Sequence, residues 1–323
     1  MLRRMVALLV ALTLMLAFTT ALFAAPLVRP AMPWREISTF AFSVQVTDAT
    51  TGAIVSKNIW GWDGKKFVML VNAQGTEAHQ PAFSPDGRFM AYAERSNGDL
   101  NIWVKDLRSG RSHRVTFGTE DQEPAWSPDG TKLVFKQGPW PAKVVTINVS
   151  NLNTPGQPER VSAAPESADE GHPTWGDGVI CWQVDLTDNG HTQIWKKNLV
   201  NGEITAEVQV ADTDAVEPAL LGTRLVFATP FGIFVKTLGE ANPETPLLDF
   251  GNLPAWAPDG SGFYLSATET NPVDGTSKTS IVFASLNDEG VTRVSWLTAQ
   301  FDWASEPTAA FSRDVGTHRY LPM

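Results

Sequence analysis

Glu123, Glu217 and Glu306 each stand immediately before a proline, and His172 stands before a fourth, at Pro124, Pro218, Pro307 and Pro173. That shared placement makes these four side chains the first candidates for chemistry. Carboxylates gathered around one opening attract a cation or a basic peptide and, left unneutralised, raise one another's pKa values. A histidine among them adds a group that titrates near neutrality. The segments leading into six such prolines read GTEAHQ, GTEDQE, SADEGH, DTDAVE, DFGNL and FDWASE, which bring Glu77, Glu120, Asp121, Asp169, Glu170, Asp212, Asp214, Asp249 and Asp302 to the same set. Ordinary solvated loop acids are the plain alternative. His79 and His172 lack the spacing of metal ligands, so polar lining is their expected role, and a divalent cation such as Ca2+ is the cofactor such a ring could hold. Trp140, between Pro139 and Pro141 in GPWPAK, is held stiffly enough to anchor a partner, or else packs down on its own sheet.

Motifs for other chemistry are missing from the sequence. It has no GxSxG elbow, HExxH, CxxC or phosphate-binding glycine run. Asp86, Asp129 and Asp259 sit in Pro-Asp-Gly segments, where Pro presets φ, Asp caps the turn and Gly takes positive φ, so they are expected to be turn residues. DLTDNGH from Asp185 and NPVDGT from Asn271 lack the alternating ligands of a calcium loop and are expected to be hairpin turns.

The elements that must position these residues recur. Pro81, Pro124, Pro173, Pro218, Pro254 and Pro307 follow one another at gaps of 43, 49, 45, 36 and 53 residues, the period of a stacked or radial repeat. After each proline segment comes an apolar run with strand composition (FMAYAE, KLVFKQ, VICWQV, RLVFAT, GFYLSA). A third run follows as aliphatic, aromatic, then leucine (Ile102-Trp103-Leu107, Ile194-Trp195-Leu199, Ile233-Phe234-Leu238, Val282-Phe283-Leu286), and a fourth closes the unit. Four short strands in about 45 residues is the blade of a β-propeller. Five full units end at Glu306, the piece from Pro307 is short, and Ser38 to Asn72 has strand patterning without the proline motif. Pairing these two incomplete pieces closes a ring and removes an open sheet edge. The expected fold is therefore all-β, a six-bladed β-propeller of four-stranded antiparallel blades closed by pairing N-terminal strands with the C-terminal blade, with five or seven blades as alternatives.

The turns Phe83-Ser84-Pro85-Asp86-Gly87, Trp126-Ser127-Pro128-Asp129-Gly130 and Trp256-Ala257-Pro258-Asp259-Gly260 resemble the TolB-type, WD40-like (PD40) propeller repeat of bacterial envelope proteins. The resemblance covers the chain from Ser38 onward. It lacks the α/β domain that precedes the propeller in the Tol-system protein and the hydrolase domain that follows it in propeller peptidases. It implies a lone propeller of the cell envelope.

Arg3 and Arg4 precede an uncharged, mostly apolar run from Met5 to Ala25, so residues 1–25 read as a signal peptide or an N-terminal membrane anchor, 26–37 as a linker and 38–323 as the propeller. Either reading of the leader puts the body outside the cytoplasm: periplasmic, secreted, or attached to the membrane through residues 5–25. The single cysteine, Cys181, lies inside a strand run and is expected to be a buried apolar side chain. The net charge of −10 argues against nucleic acid or an anionic membrane surface as a partner.

Two functional classes follow. The first is a non-enzymatic binding or scaffolding propeller that holds a protein or peptide of the envelope at an acidic channel face, with Glu123, Glu217, Glu306, His172, Asp121, Asp214 and Trp140 as contact residues. The second is a propeller hydrolase or lyase acting on carbohydrate or peptide, with the channel-mouth His and carboxylates as acid, base or metal ligands.

Overall fold

A computed structural model of the protein describes residues 38–311, apart from 49, 52, 64, 74, 187–190, 209–213, 244, 273, 299–300 and 302–303. In chain order, blade I takes β1 (Ser38–Thr47), β2 (Ile54–Trp62) and β3 (Phe67–Val71). Blade II has β4 (Ala78–Phe83), β5 (Phe89–Ser96), β6 (Asp99–Asp106) and β7 (Ser112–Arg114), and blade III has β8 (Gln122–Trp126), β9 (Lys132–Gln137), β10 (Lys143–Asn148) and β11 (Glu159–Arg160). Blade IV has β12 (Asp169–Gly176), β13 (Val179–Asp185), β14 (Thr192–Asn198) and β15 (Ile204–Val208), and blade V has β16 (Val216–Leu221), β17 (Arg224–Thr229) and β18 (Gly232–Thr237). Blade VI has β19 (Asn252–Trp256), β20 (Gly262–Thr270), β21 (Ser277–Asn287) and β22 (Gly290–Trp296), and β23 (Ala304–Phe311) returns to pair with β1 and complete blade I. The protein is an all-β, six-bladed propeller closed by its two ends, with Ser38 opposite Phe311.

The middle strands explain why the apolar runs are continuous rather than alternating. Neighbouring residues of one strand feed opposite faces, and here both faces are covered. On β5, Ala91 and Ala93 pack toward blade III while Met90 and Tyr92 pack toward blade I. On β17, Leu225 and Phe227 pack toward blade IV and Val226 toward blade VI. The apolar core is thus six wedges, one at each blade interface. Trp126 and Trp256 tie neighbouring blades further, each indole N–H donating to a carbonyl of the preceding inner strand, at Ala82 and Ala219. Cys181 is fully buried in the wedge between blades IV and V.

Two local expectations need correction. In blade VI, Ser266 faces Ile281 as Ala93 faces Ile102, so the third-strand pair corresponding to Ile102-Trp103 is Ile281-Val282, one residue earlier than Val282-Phe283. Blade V has only three strands among the described residues, its fourth reduced to a single bridge between Ile233 and Leu248. PLLDFG is too short and turn-rich to run alongside β18.

The Pro-Asp-Gly segments are turns. Asp86 Oδ1 accepts hydrogen bonds from the Ser84 hydroxyl and the Arg88 N–H, and Asp129 Oδ1 from the Ser127 hydroxyl and the Thr131 N–H. Gly87, Gly130 and Gly260 follow at φ 68°, 71° and 73°, where a side chain would be strained. These turns lie at the end of the inner strands opposite the interblade loops.

Candidate functional site

The inner strands β4, β8, β12, β16, β19 and β23 present Gln80, Glu123, His172, Glu217, Leu253 and Glu306, each followed by its proline, to a central cavity of about 130 Å³. Each inner strand carries a register irregularity at this point. All six residues have positive φ, between 45° and 58°. None is a glycine or asparagine, so the bulge holds a conformation these residue types rarely adopt. What it yields is a backbone N–H turned out of its own ladder, which must find another acceptor.

That acceptor comes from the preceding blade. Glu306 Oε2 takes the Gln80 N–H (2.9 Å), Gln80 Oε1 the Glu123 N–H (3.0 Å), Glu123 Oε2 the His172 N–H (2.6 Å), and Glu217 Oε2 the Leu253 N–H (2.5 Å). The ring is interrupted at His172 and Leu253. At both places a second-strand side chain of the same blade substitutes: Gln183 Oε1 accepts the Glu217 N–H at 3.3 Å, and the Ser266 hydroxyl accepts the Glu306 N–H at 3.2 Å. Where the ring side chain already accepts, in blades I, II, III and V, the matching second-strand positions are Ser43, Ala93, Lys136 and Ala228, of which Ser43 also accepts the Gln80 N–H. Replacing Gln183 by Leu is therefore expected to leave the Glu217 N–H unpaired and cost about 1–3 kcal/mol in denaturant unfolding.

The three glutamates are electrostatically distinct. Burial alone would push Glu306 up, but His79, with Nδ1 3.6 Å from Oε1, the Ser43 hydroxyl and the Gln80 N–H together hold its carboxyl down at about 2. Glu217 is raised, chiefly by burial and slightly by Glu123, against the Leu253 N–H and His172. Mutual repulsion is thus a minor cause. A depressed carboxyl contributes stability that is full above the ordinary carboxylate range and is lost as pH falls through the folded value, here about 2. A raised one contributes at low pH and loses that contribution as pH rises through its folded value. Glu306→Gln is expected to be less stable than the parent at neutral pH, the gap closing as pH falls toward about 2. Glu217→Gln, which keeps its acceptor oxygen, should be as stable or more so at neutral pH. Unfolding at stepped pH reads both.

The remaining acidic residues are divided by the fold. Asp121 and Glu170, each two residues before its ring member, are fully buried beneath their interblade loops and do not line the cavity. Glu170 accepts the Val144 N–H, and Asp121 accepts the Gly118 N–H. Asp121 lies among donors in low dielectric, and burial raises its carboxyl. Arg95 sits between Glu77 and Glu120, Lys136 pairs with Asp169, and Asp214 accepts the Thr192 N–H. Trp140 is 70% exposed on the loop between β9 and β10, on the side of the interblade loops. Asp212 and Asp302 lie outside the described residues. Among the described residues no three His, Cys, Asp or Glu side chains are grouped to hold a metal ion. Sequence reading missed Gln80 and Leu253 as ring members, and Gln183 and Ser266 as their substitutes. The shared position before a proline could have found the first pair.

No protein-family model and no curated protein matches the sequence. Solved structures do match in fold. TolB from Acinetobacter baumannii superposes with a TM-score of 0.64 at 18% identity, over 84% of this chain and 66% of that one. The chain resembles TolB in fold. The putative TolB from Agrobacterium tumefaciens gives 0.57 at 12% identity, over 90% of this chain and 100% of that one. Hydrazine synthase from Kuenenia stuttgartiensis gives 0.64 at 13% identity, over 85% of this chain and 47% of that one. The chain spans less than two thirds of the length of the first and third of these, and at such identities the likeness is one of fold, which these proteins use for different ends.

Proposed function

We propose that the chain is a non-enzymatic binding propeller of the cell envelope that holds a protein or peptide at its cavity-mouth face. The observation that carries this reading is the ring itself: Glu123, Glu217 and Glu306 face one small cavity, and each is fixed by a backbone N–H of the neighbouring blade or by a second-strand hydroxyl. A fixed, partly desolvated negative lining recognises charge with little reorganisation. Capture from a native envelope extract tests it, with the full chain compared against Glu123→Gln/Glu217→Gln. A partner retained equally by both proteins would remove the ring from the binding site.

A second reading has one observation in its favour. Glu217, raised by burial and next to His172 in the ring, is a carboxyl suited to proton donation in a hydrolase or lyase acting on carbohydrate or peptide. Turnover of a polysaccharide or peptide panel that disappears in Glu217→Gln would establish it.

Location belongs to the same proposal. The leader of residues 1–25 lies outside the described residues, and among the described residues no helix is long and apolar enough to cross a membrane. A leader that reaches the membrane places the body outside the cytoplasm. Retention in membranes after a carbonate wash marks an anchor. An intact mass lacking the residues from Met1 to about Ala24 marks cleavage of a signal peptide.

A further inference from the structure

Among the described residues ten large apolar side chains are exposed, and they are unevenly placed. Val46, Ile54, Val55, Phe117, Trp140 and Phe231 belong to loops or hairpin tips at the cavity-mouth end. Leu199 and Val200 lie at the opposite end, and Met69 and Trp296 on outer strands. Three of the six at the mouth are aromatic and more than three-fifths exposed: Phe117 at 72%, Trp140 at 70% and Phe231 at 66%. They come from separate loops, the one entering blade III and those between the second and third strands of blades III and V. Scattered single exposures are ordinary, but apolar side chains gathered at one end mark a surface that is covered in use.

Charge decides what covers it. The cavity behind this rim has Glu123, Glu217 and Glu306 in its lining and no Lys or Arg. The six ring N–H groups are all taken by side-chain oxygens, so an anion entering the ring would meet carboxylates and no free ring N–H donor. A cavity of about 130 Å³ admits the end of one side chain rather than a structural element. A Lys or Arg end group matches it in size and sign, because either presents several N–H donors on an apolar stem. The whole chain, at −10, steers such a group inward.

Building on the binding reading above, we propose that the mouth face takes an extended segment of a partner protein in which a lysine or arginine is flanked by apolar residues, the cationic end entering the ring and its flanks resting on Phe117, Trp140 and Phe231. The rim supplies apolar area and rigid aromatic anchors, and the ring supplies sign selectivity, as hot-spot interfaces divide these tasks.

The test is selection of displayed random twelve-residue peptides on the full chain. Enriched peptides are expected to carry a Lys or Arg within two or three positions of an aromatic or aliphatic residue. A synthetic winner should bind roughly tenfold more weakly when that basic residue becomes Met, and about as much more weakly to Glu217→Gln as to Trp140→Ala, each at unchanged melting temperature. Its affinity should fall as salt rises. Glu217→Gln keeps the oxygen that accepts the Leu253 N–H, and if it folds poorly the salt series and the peptide's own Lys→Met change still decide. Winners that lack a basic residue and depend on Trp140 but not on Glu217 overturn this inference and leave the binding reading standing. Winners whose binding ignores both residues overturn the two together.

Discussion

Removal of residues 38–72 is expected to abolish cooperative folding of the propeller rather than trim a tail. β1 lies between β23 and β2, so the deletion strips β23 of its partner along the whole register from Ser38–Phe311 to Val44–Ala304 and leaves it as an open inner edge. Two core wedges lose a side at once. Phe40, Phe42 and Val44 leave the wedge against blade VI, and Ala41, Ile59, Leu70 and Val71 leave the wedge against blade II. At about 1.5–3 kcal/mol for each fully buried large side chain, the loss matches or exceeds the ~5–15 kcal/mol by which a whole protein of this kind is stable. The ring is cut too, because Ser43 donates to Glu306 and accepts the Gln80 N–H. The expected product is insoluble, or soluble without a cooperative melt. A chain starting near Gly75 that gave a single sharp transition by calorimetry would show that the remaining blades close without it.

The residues that made the ring legible in the sequence were those with repeated, local causes. Pro-Asp-Gly announces its turn because each residue satisfies a separate dihedral requirement, and Ser84–Asp86 and Ser127–Asp129 are bonded within that turn. The middle strands were visible because both of their faces are buried, which leaves an uninterrupted apolar run. The convergence before the prolines followed from radial repetition, since equivalent positions of successive blades must meet at the axis.

What stayed hidden is non-local. Positive φ at Glu123 or Leu253 is imposed by the bulge and the neighbouring blade, and neither residue type signals it. Gln183 and Ser266 take the ring N–H groups that His172 and Leu253 do not, a relation between positions 11 and 13 residues apart on different strands. Asp121 and Glu170 read as loop acids like their neighbours, yet the chain turns inward at them to meet the start of the third strand of the preceding blade, where Asp121 N–H bonds to Leu100 and Glu170 N–H to Ala142. In blades I, II and V the corresponding buried residue is alanine, at Ala304, Ala78 and Ala215, a pattern that appears only once the blades are superposed.

Glu207 is a further residue that pattern reading passes over, and its replacement by alanine is expected to be strongly destabilising. Its side chain, 4% exposed at the end of β15, lies 2.6 Å from Lys196 Nζ and 3.0 Å from the 3% exposed Lys236 Nζ, and also accepts the Gly239 N–H at 2.7 Å. Lys236 in turn donates to the Glu207 carbonyl and to Asn242. The cluster joins blade IV to blade V where the fourth strand of blade V shrinks to one bridge, so it stands in for missing ladder bonds. Burial pushes the Glu207 carboxyl up, but Lys196, the Gly239 N–H and Lys236 outweigh it and hold the group below its ordinary value. Its contribution is therefore present above the usual glutamate range and lost as pH falls through the lowered value. Glu207→Ala leaves Lys236 buried without its counter-charge, which costs about 3–5 kcal/mol, or a melting temperature lower by roughly 5–15 °C. Removing both charges together separates this cause from lost packing: Glu207→Leu combined with Lys236→Met should recover most of the loss, because a buried pair exchanged for apolar side chains of similar volume is close to neutral. A single variant within about 0.5 kcal/mol of the parent, or a double variant no better than the single, would show that the ion cluster is not what fastens blade V to blade IV.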